Sequence, residues 1–266
     1  MKIDCSEAFC LSPEACDGLT GLRFPLEMDD GADHALAFLA PDTLRWDGEA
    51  LPYRGAKGGE GLYFLSFDRR GEPRENLTLA LDLSAGLVTV VEARQGLNPR
   101  RPSYIDVSIR TGAVRAEDGT LPPKRHGYTA DLVGKAVKWQ YDGGFSIIHI
   151  YLSERYYRIQ LLQRMGDPDS PYEQAMRNYT DRTEPAFYLR LRPGVYLFGF
   201  VEDNMDKVTG PEISCASRVQ LIDTACMKTV GRGFGPPGAP LELFVAQGEF
   251  VTLPAEAFSE KQAYTI

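Results

Sequence analysis

The segment Val137-Lys138-Trp139-Gln140-Tyr141 alternates in side-chain character, and Tyr196-Leu197-Phe198-Gly199-Phe200 is a second short segment of the same kind. Such segments recur along the chain with Gly, Pro, Asp or Asn between them, which is the pattern of short β-strands joined by turns. Only Ser12–Cys16 and Ser170–Asn178 are typical of short helices. The sequence therefore predicts an all-β chain, with antiparallel barrels favoured over sandwiches because short turns join consecutive strands.

One β unit occurs twice in the chain. Leu19-Thr20-Gly21 matches Leu132-Val133-Gly134, and the same spacing carries Arg45 onto Arg158 without a gap. A polar stretch that contains two consecutive prolines separates the copies. We therefore predict two tandem barrels, at residues 1–120 and 121–266.

A second match predicts an insertion in the second copy. Gly61-Leu62-Tyr63-Phe64 matches Gly194-Val195-Tyr196-Leu197 at a larger spacing than the first match, so the loop Gln163–Glu184 is added before it. This loop contains Arg177 and Arg182, and a long loop in a compact domain is more often functional than idle. It could cover the barrel mouth and bring an arginine to an anionic ligand, form a homodimer contact, or be a solvated surface loop.

A looser match, which aligns Leu81-Asp82-Leu83 with Leu221-Ile222-Asp223, extends the repeat. Because the copies share one pattern, each serves as a control for the other. Alternation places corresponding side chains on the same faces of three strands. In the first copy these are Phe24, Leu26, Met28, Leu36, Phe38, Tyr63, Leu65, Phe67 and Arg69. In the second copy they are Val137, Trp139, Tyr141, His149, Tyr151, Tyr196, Phe198, Phe200 and Glu202.

Polar groups distinguish the second copy. Trp139, Tyr141, His149, Tyr151 and Glu202 stand where the first copy has Leu, Met, Leu, Phe and Arg. The apolar set predicts a filled, structural barrel, and the polar set predicts a lumen that holds a ligand. The alternative is that each tyrosine and the histidine is a core or rim residue whose polar atom is satisfied within the protein.

A carboxylate inside a barrel is costly unless it is paired or neutral. Arg158, Arg190 or an arginine of the insertion could pair with Glu202. An isolated Glu202 would have a raised pKa, which suits a proton donor near neutral pH.

Composition argues against two classes of partner. The 29 Lys and Arg against 37 Asp and Glu give a formal net charge of −8 and a pI near 5.1, so no basic surface for nucleic acid is expected. The apolar runs are far shorter than the roughly 20 residues of a membrane helix, so no membrane association is expected. The acidic start Met1–Glu7 favours a cytoplasmic protein over a secreted one.

Cofactor and metal motifs are missing from the sequence. The five cysteines, at 5, 10, 16, 215 and 226, and the three histidines, at 34, 126 and 149, lack metal-ligand spacing. We therefore expect free thiols in a reducing cytosol and no metal site. The glycine-rich stretch 231–238 contains Pro-Pro, which predicts a turn or rim loop rather than a phosphate site. No P-loop or Rossmann fingerprint occurs, so no cofactor is expected.

Two long segments carry a family resemblance. They are Asp33-His34-Ala35-Leu36-Ala37-Phe38-Leu39-Ala40-Pro41-Asp42-Thr43-Leu44-Arg45-Trp46 and the segment from Leu132-Val133-Gly134 to His149-Ile150-Tyr151-Leu152-Ser153-Glu154-Arg155-Tyr156-Tyr157. With the two-copy layout, they resemble the molybdenum cofactor biosynthesis protein F (MoaF) family over most of the chain. The resemblance implies N- and C-terminal lipocalin-like domains and a place near molybdenum cofactor genes, but no established reaction.

The second half also resembles bacterial phenolic acid decarboxylases, which are single lipocalin-like barrels without a cofactor. Leu132-Val133-Gly134 followed by Trp139-Gln140-Tyr141 is similar to their opening motif, and Gly194-Val195-Tyr196 ending in Phe200-Val201-Glu202 is similar to their acid-bearing strand. This resemblance implies that Glu202 is a catalytic acid and that Tyr141 orients a substrate carboxylate. The family's first orienting tyrosine is here Trp139, so the paired-hydroxyl clamp is incomplete.

These observations predict that the C-terminal barrel binds a hydroxyphenyl-type aromatic small molecule. As an enzyme it would be a cofactor-independent acid/base lyase or isomerase; as a binding protein it would be an accessory in molybdenum cofactor biosynthesis; a third alternative is an interaction scaffold. The predicted catalytic residues are Glu202, Tyr141 and His149. The predicted substrate-binding residues are Trp139, Tyr151, Arg158, Tyr188, Tyr196, Phe198, Phe200, Arg177 and Arg182.

Overall fold

Two antiparallel nine-stranded sheets form the protein in a computed structural model, one nearly closed and one closed into a barrel. The structure describes residues 13–97, 99–100, 104–141, 146–163, 183–202, 216–235 and 241–259. Among these residues the helices are two short 3₁₀ helices, Pro13–Leu19 and Ala255–Phe258. The prediction of an all-β chain with two tandem barrels is confirmed.

The first barrel is nearly closed. Its sheet order is β4-β3-β2-β1-β9-β8-β7-β6-β5, so the first strand pairs with the last, and Tyr53 alone separates the two edge strands in sequence. The strands are β1 (Arg23–Met28), β2 (Asp33–Ala40), β3 (Thr43–Trp46), β4 (Glu49–Pro52), β5 (Arg54–Gly59), β6 (Leu62–Arg69), β7 (Arg74–Asp82), β8 (Leu87–Gln95) and β9 (Ile105–Val114).

The second barrel is fully closed. Its sheet order is β10-β14-β13-β12-β11-β18-β17-β16-β15, and an additional pairing of β14 with β15 completes the ring. The strands are β10 (Gly127–Tyr128), β11 (Ala136–Tyr141), β12 (Ser146–Tyr151), β13 (Tyr156–Gln163), β14 (Thr183–Arg192), β15 (Val195–Val201), β16 (Ser217–Asp223), β17 (Lys228–Phe234) and β18 (Leu243–Phe250).

The strand bounds reproduce the sequence repeat. The spacing that relates Leu19 to Leu132 also relates the first residues of β1 and β11 and those of β2 and β12, and the larger spacing of the second match relates β6 to β15. Gly21 and Gly134, one in each copy, have φ of 87° and 78° before the first long strand. This left-handed conformation strains other residues, which explains why glycine stands at both positions.

The looser third match was wrong by one position. Leu62 pairs with Asp82 in the first barrel, and its counterpart Val195 pairs with Asp223 in the second, so Asp82 corresponds to Asp223 rather than to Ile222. A slip of one position exchanges the two faces of a strand. The sequence match therefore compared inward side chains of one copy with outward side chains of the other.

Apolar side chains fill the middle of the first barrel. Trp46, Phe38 and Phe67 are buried there together with inward leucines of β1, β2, β3, β6 and β7. The 3₁₀ helix Pro13–Leu19 places Leu19, which is fully buried, against the same core. In the second barrel Leu132, at the equivalent position of the repeat, is buried in the corresponding core.

The barrels pack side by side through the outer faces of β5–β9 and β14–β18. Phe64 and Val91 of the first barrel and Leu197 and Leu221 of the second belong to one buried apolar cluster. We define the upper end of each barrel as the end where β1, β3, β6 and β8, or β11, β13, β15 and β17, terminate. Both upper ends lie on the same side of the molecule, because Phe234 at the end of β17 packs on Ala93 near the end of β8.

Ion pairs join the barrels at both ends. Near the lower end, Arg192 donates from Nε and Nη2 to the fully buried Asp82 carboxylate at 2.8 and 2.6 Å. Near the upper end, the buried Arg232 donates to Asp68 at 3.2 Å, and Arg74 donates to the carbonyl oxygen of Gly235 at 2.7 Å. These contacts fix the second barrel against the first.

The cysteine prediction requires a correction. Cys226 is disulfide-bonded, so the expectation of free thiols is wrong at this position, whereas Cys16 carries a buried thiol. The cysteine pattern therefore no longer supports a reducing compartment, and the cytoplasmic location stays a prediction. Within the described residues, none of the helices has the length and apolar character needed to cross a membrane. The predicted helix Ser170–Asn178 lies outside the described residues.

Candidate functional site

Inward side chains of the second barrel form an aromatic interior with a polar upper end. The polar groups project from β11, β12, β13, β14, β15 and β16, in phase with side chains of the buried core, or from the residue that follows the strand. We call them the polar cluster: Tyr141, His149, Tyr157, Glu184, Glu202, Arg218 and Gln220. Electrostatic interactions indicate that they lie together, because Arg218 acts on Tyr141, His149 and Tyr157.

His149 lies at the centre of an aromatic floor. Its ring centroid is 5.3 Å from Tyr157, 5.4 Å from Phe198 and 5.8 Å from Phe200, with edge-to-face geometry in each case. Below it, Tyr188 stacks on Phe198 at 5.3 Å. The rings therefore fill the middle of the barrel, and a ligand would have to lie above them, at the upper end.

Several buried polar atoms of this interior have no hydrogen-bond partner among the described residues. They include both ring nitrogens of His149, the hydroxyl of Tyr157 and the Oε1 of Gln220. Each buried polar group left without a partner costs about 1–3 kcal/mol. Native proteins contain few such atoms, and a concentration of them in one barrel indicates a site that water or a ligand completes.

Glu202 and Arg218 form an ion pair at the upper end. The Arg218 Nε donates to the Glu202 Oε1 at 3.2 Å; the carboxylate side chain is almost fully buried and the guanidinium side chain is 34% exposed. Gly233 makes room for this arginine, because a Cβ there would lie 2.9 Å from the Arg218 Nη1. Arg218 is thus a group of the polar cluster that both reaches solvent and faces the interior.

Burial sets the protonation states of the cluster. Burial, aided by the charge of the nearby Arg218 guanidinium, lowers the pKa of His149 to about 3, so the imidazole is neutral at physiological pH. Burial raises the pKa of Tyr141 to about 12, which the Arg218 charge and a hydrogen bond with Gln220 partly oppose. Burial also raises the pKa of Tyr157, and the carboxylates of Glu202 and Glu184 act in the same direction.

Sequence reasoning missed Glu184, Arg218, Gln220 and Tyr157. Glu184 is fully buried and lies on β14 in phase with Ala186 and Tyr188, which belong to the core. The sequence instead places it at the end of the predicted insertion. Arg218 and Gln220 alternate with the outward Val219 and Leu221 on β16, and the slipped third match hid this alternation.

The structure does not bring all predicted site residues together. Arg158 points to the outer face, where it donates to the carbonyl oxygens of Ala257 and Ser259 at 3.2 and 2.8 Å. Its predicted role as a ligand contact therefore has no support in the geometry. Tyr188 donates to the Tyr156 carbonyl oxygen at 3.0 Å, so its hydroxyl already has a partner.

Tyr196 donates to Asp131 at 3.3 Å, and Arg190 also pairs with Asp131, so neither reaches Glu202. Phe198 and Phe200 form part of the aromatic floor, and Trp139 and Tyr151 lie in the same core. Arg177 and Arg182 lie outside the described residues.

The strand registers extend the comparison between the copies. Phe67 pairs with Leu77 in the first barrel, and its counterpart Phe200 pairs with Arg218 in the second. By the same registers Gln220 replaces Leu79, and Leu77 and Leu79 both belong to the first core. The second barrel thus carries charged and amide groups at positions where the same fold accepts leucine.

Comparison with known families decides the identity of the chain. The model of the MoaF N-terminal domain matches residues 7–96, and that of the MoaF C-terminal domain matches residues 126–248. The chain belongs to the MoaF family. Each family domain corresponds to one of the two barrels, so the resemblance to MoaF proteins is confirmed.

Other comparisons add little to the MoaF assignment. No curated protein matches the chain, and no similarity to phenolic acid decarboxylases is shown. A solved structure from Burkholderia vietnamiensis, described as a "putative beta-lactamase", is 17% identical, with a TM-score of 0.30, over 46% of this chain and 96% of its own. A likeness this low carries no argument about fold or activity.

Proposed function

We propose that the C-terminal barrel of this MoaF-family protein binds a small aromatic molecule with an anionic oxygen substituent, and acts on it by acid/base chemistry. The observation that carries the proposal is the set of buried polar atoms on His149 and Tyr157 that lack partners among the described residues, beside Arg218. A sequence that keeps such atoms buried loses stability unless a bound molecule satisfies them.

The arrangement suits an aromatic anion. The edges and faces of Tyr157, Phe200 and His149 offer an aromatic surface for a ring. Arg218, one third exposed, can pair with a carboxylate or phenolate that enters from the upper end. The neutral imidazole of His149 can donate one hydrogen bond and accept another.

Two buried carboxylates supply the acid/base groups. Glu202 accepts a hydrogen bond from Arg218, so it is not the isolated acid that the sequence allowed. For a para-hydroxyphenyl substrate, one carboxylate takes the phenolic proton while another acid returns a proton to a side-chain carbon, which forms a quinone methide. Loss of a one-carbon fragment, or removal of a proton from a different carbon, then restores the phenolate, which takes its proton back from the first carboxyl group. The acid that protonated the side chain regains a proton from solvent in the lyase cycle and from the substrate carbon in the isomerase cycle.

Binding and turnover can be tested separately with 4-hydroxycinnamate. We expect calorimetric binding to the wild-type protein, loss of at least tenfold in affinity in Arg218→Gln, and no change in Arg190→Gln, an exposed arginine of β14 that pairs with Asp131 outside the polar cluster. Glu202→Gln is expected to retain binding and lose any ultraviolet change that reports turnover. Equal affinity of Arg218→Gln and wild type would contradict the proposed site.

The same experiment separates the alternative function. Binding without any spectral change in the wild-type protein would favour the alternative that we propose, a non-catalytic small-molecule-binding accessory linked to molybdenum cofactor biosynthesis. Turnover that Glu202→Gln retains would remove the acid/base role of this residue but not the binding site.

A further inference from the structure

Ionisable side chains also converge at the upper end of the N-terminal barrel, which the sequence predicted to be filled and structural. Glu75 on β7 is in phase with the inward Leu77 and Leu79, and Glu92 on β8 is in phase with the inward Val88 and Val90. We call this group the N-terminal cup. It consists of Arg69, Glu75, Glu92, Arg94 and Arg110, with His34 and Trp46 beneath.

Three arginines surround the two carboxyl groups of the cup. Arg94 donates from Nε to the Glu75 Oε1 at 2.9 Å, and its Nη2 contacts the Glu92 carboxyl group. The Arg69 Nη1 lies 3.2 Å from the Glu75 Oε2, and the Arg110 Nη2 lies 3.4 Å from the Glu92 Oε2. The carboxyl groups are therefore held close together by a shared guanidinium.

His34 fixes the position of Arg110. Its ring stacks on Trp46 at 4.6 Å, its Nδ1 is 2.7 Å from the Asp47 Oδ2, and its Nε2 is 3.0 Å from the Arg110 Nη1. Since Arg110 can only donate, the Nε2 is the acceptor and the Nδ1–H donates to Asp47. Asp47 has a φ of 48°, a conformation that is strained for residues other than glycine. Hydrogen bonds from His34 and from the Ala35 N–H to the Asp47 carboxylate hold this conformation.

Burial and the contact between the two carboxyl groups separate their protonation states. Burial and the adjacent Glu75 raise the pKa of Glu92 to about 7, against the opposing charges of Arg94 and Arg110, so this carboxyl group is partly neutral near physiological pH. Although burial opposes ionisation of Glu75, its hydrogen bond with Glu92 and the charges of Arg94 and Arg69 lower its pKa.

Below pH 7, three guanidinium groups thus face little more than one negative charge inside the cup. Two carboxylates at the rim, Glu49 and Asp30, each lie 3.9 Å from the nearest arginine nitrogen and offset part of the remaining positive charge. The Arg110 Nε is buried without an acceptor in the described part of the chain. The neutral Glu92 carboxyl group, whose O–H donates to Glu75, carries no charge that would repel an anion, and the N–H donors of the arginines match the oxygens of an anion.

We propose that the N-terminal cup is a second ligand site, which takes a small oxyanion of carboxylate or tetrahedral type between Arg110, Arg94 and Glu92. This site is distinct from the polar cluster of the C-terminal barrel and does not depend on the function proposed there. The anion accepts hydrogen bonds from Arg110 and Arg94, while the neutral Glu92 carboxyl group donates its O–H to Glu75. Ionisation of Glu92 adds a charge that repels the anion and competes with it for the two guanidinium groups.

Calorimetric titration with sodium sulfate and with sodium acetate, at constant ionic strength, tests the site. We expect at least one anion to bind at pH 6 and to bind about tenfold more weakly at pH 8, because the neutral fraction of a group titrating near 7 falls by about that factor. Preference for sulfate would identify a tetrahedral ligand, and preference for acetate a carboxylate. Both anions keep a constant charge over this range.

Variants assign the binding to the cup. Glu92→Gln keeps a neutral side chain and is expected to bind equally at pH 6 and pH 8, whereas Arg110→Gln is expected to lose binding. Arg115→Gln is the matched control, since Arg115 lies just beyond β9 and pairs with Glu27 and Asp33 outside the cup. The proposal is wrong if neither anion binds the wild type, or if Glu92→Gln keeps the pH dependence. If Arg110→Gln fails to fold, the pH dependence of anion binding in Glu92→Gln still tests the proposal.

Discussion

At the scale of single residues, His149 is a polar side chain at a core position where the first barrel has an apolar one. Its ring is fully buried, packs against four aromatic rings and has neither nitrogen bonded within the described residues. The first barrel has Leu36 at this repeat position and buries it in its core. The fold therefore accepts leucine at this position, and the ligand contact that we propose would account for the imidazole.

We expect His149→Leu to stabilise the protein by about 1–3 kcal/mol, because it removes unsatisfied polar atoms and keeps the volume nearly constant. Since the pKa of His149 is lowered to about 3 by burial, the unfolded chain binds the extra proton below about 6.5, and wild-type stability falls as the pH falls through that range. The gain should therefore be larger at pH 5 than at pH 7.5 in urea denaturation. His34→Leu, which removes a histidine with both nitrogens bonded, is expected to destabilise. A destabilised His149→Leu would contradict this account.

The sequence predicted correctly which side chains point into the barrel wherever the match between the two copies had the correct register. Trp139, Tyr141, His149 and Glu202 were found because the spacings of the first two matches hold in the structure. Arg218 was missed because a slip of one position reverses the faces of β16. The N-terminal cup was missed because its members come from four different strands, β6, β7, β8 and β9, and only the pairing of these strands in the sheet brings the side chains together.

At the scale of single strands, two glycines on β17 and β18 leave space for aromatic side chains of the neighbouring strands. A Cβ at Gly248 would lie 2.4 Å from the Trp139 ring, and one at Gly231 would lie 2.3 Å from the Phe244 ring. These glycines are therefore positions where an aromatic ring lies directly on the backbone of a neighbouring strand. The prediction of a turn or rim loop at residues 231–238 is wrong for Gly231, which lies on β17, and the ring that packs on each glycine is visible only in the paired sheet.

Gly248→Ala is expected to cost about 1–3 kcal/mol, because the added methyl group forces Trp139 out of its position. Trp139 is one of two tryptophans, so its displacement should also change the fluorescence spectrum. Gly127→Ala on β10 is the matched control, since a Cβ there meets nothing within 4 Å. Equal unfolding midpoints for the two variants in urea would show that Trp139 can move without cost.

At the scale of the whole molecule, the repeat predicted two barrels but not how they dock. The surface between the barrels is formed by outward apolar side chains of strands from both copies. These residues alternate along each strand with the inward core residues, and the sequence alone does not show which outward residues of the two barrels contact each other. The buried Asp82 is the clearest sign of a fixed interface. It accepts from Arg192 of the other barrel and lies 4.0 Å from His126, which also contacts Thr89 at 2.9 Å.

Asp82→Asn is expected to destabilise the protein by about 3–5 kcal/mol at pH 7, because it leaves the Arg192 charge at the interface without its partner. Although burial opposes ionisation, the hydrogen bonds from Arg192 and the Ala85 N–H, together with the Arg192 charge, hold the pKa of Asp82 well below its usual range. The carboxylate therefore stabilises the folded state above about pH 4, and this contribution is lost as the pH falls.

The difference in the free energy of unfolding between wild type and Asp82→Asn should accordingly narrow below pH 4. Scanning calorimetry of Asp82→Asn should also show whether the single unfolding transition separates into two, one for each barrel. Asp33→Asn, at an exposed ion pair, is expected to change stability by less than about 0.5 kcal/mol. The polar cluster lies at the opposite end of the second barrel from Asp82. We therefore expect Asp82→Asn to lower the free energy of unfolding by more than it lowers the free energy of ligand binding. An Asp82→Asn protein with wild-type unfolding temperature would show that the apolar interface alone holds the two barrels together.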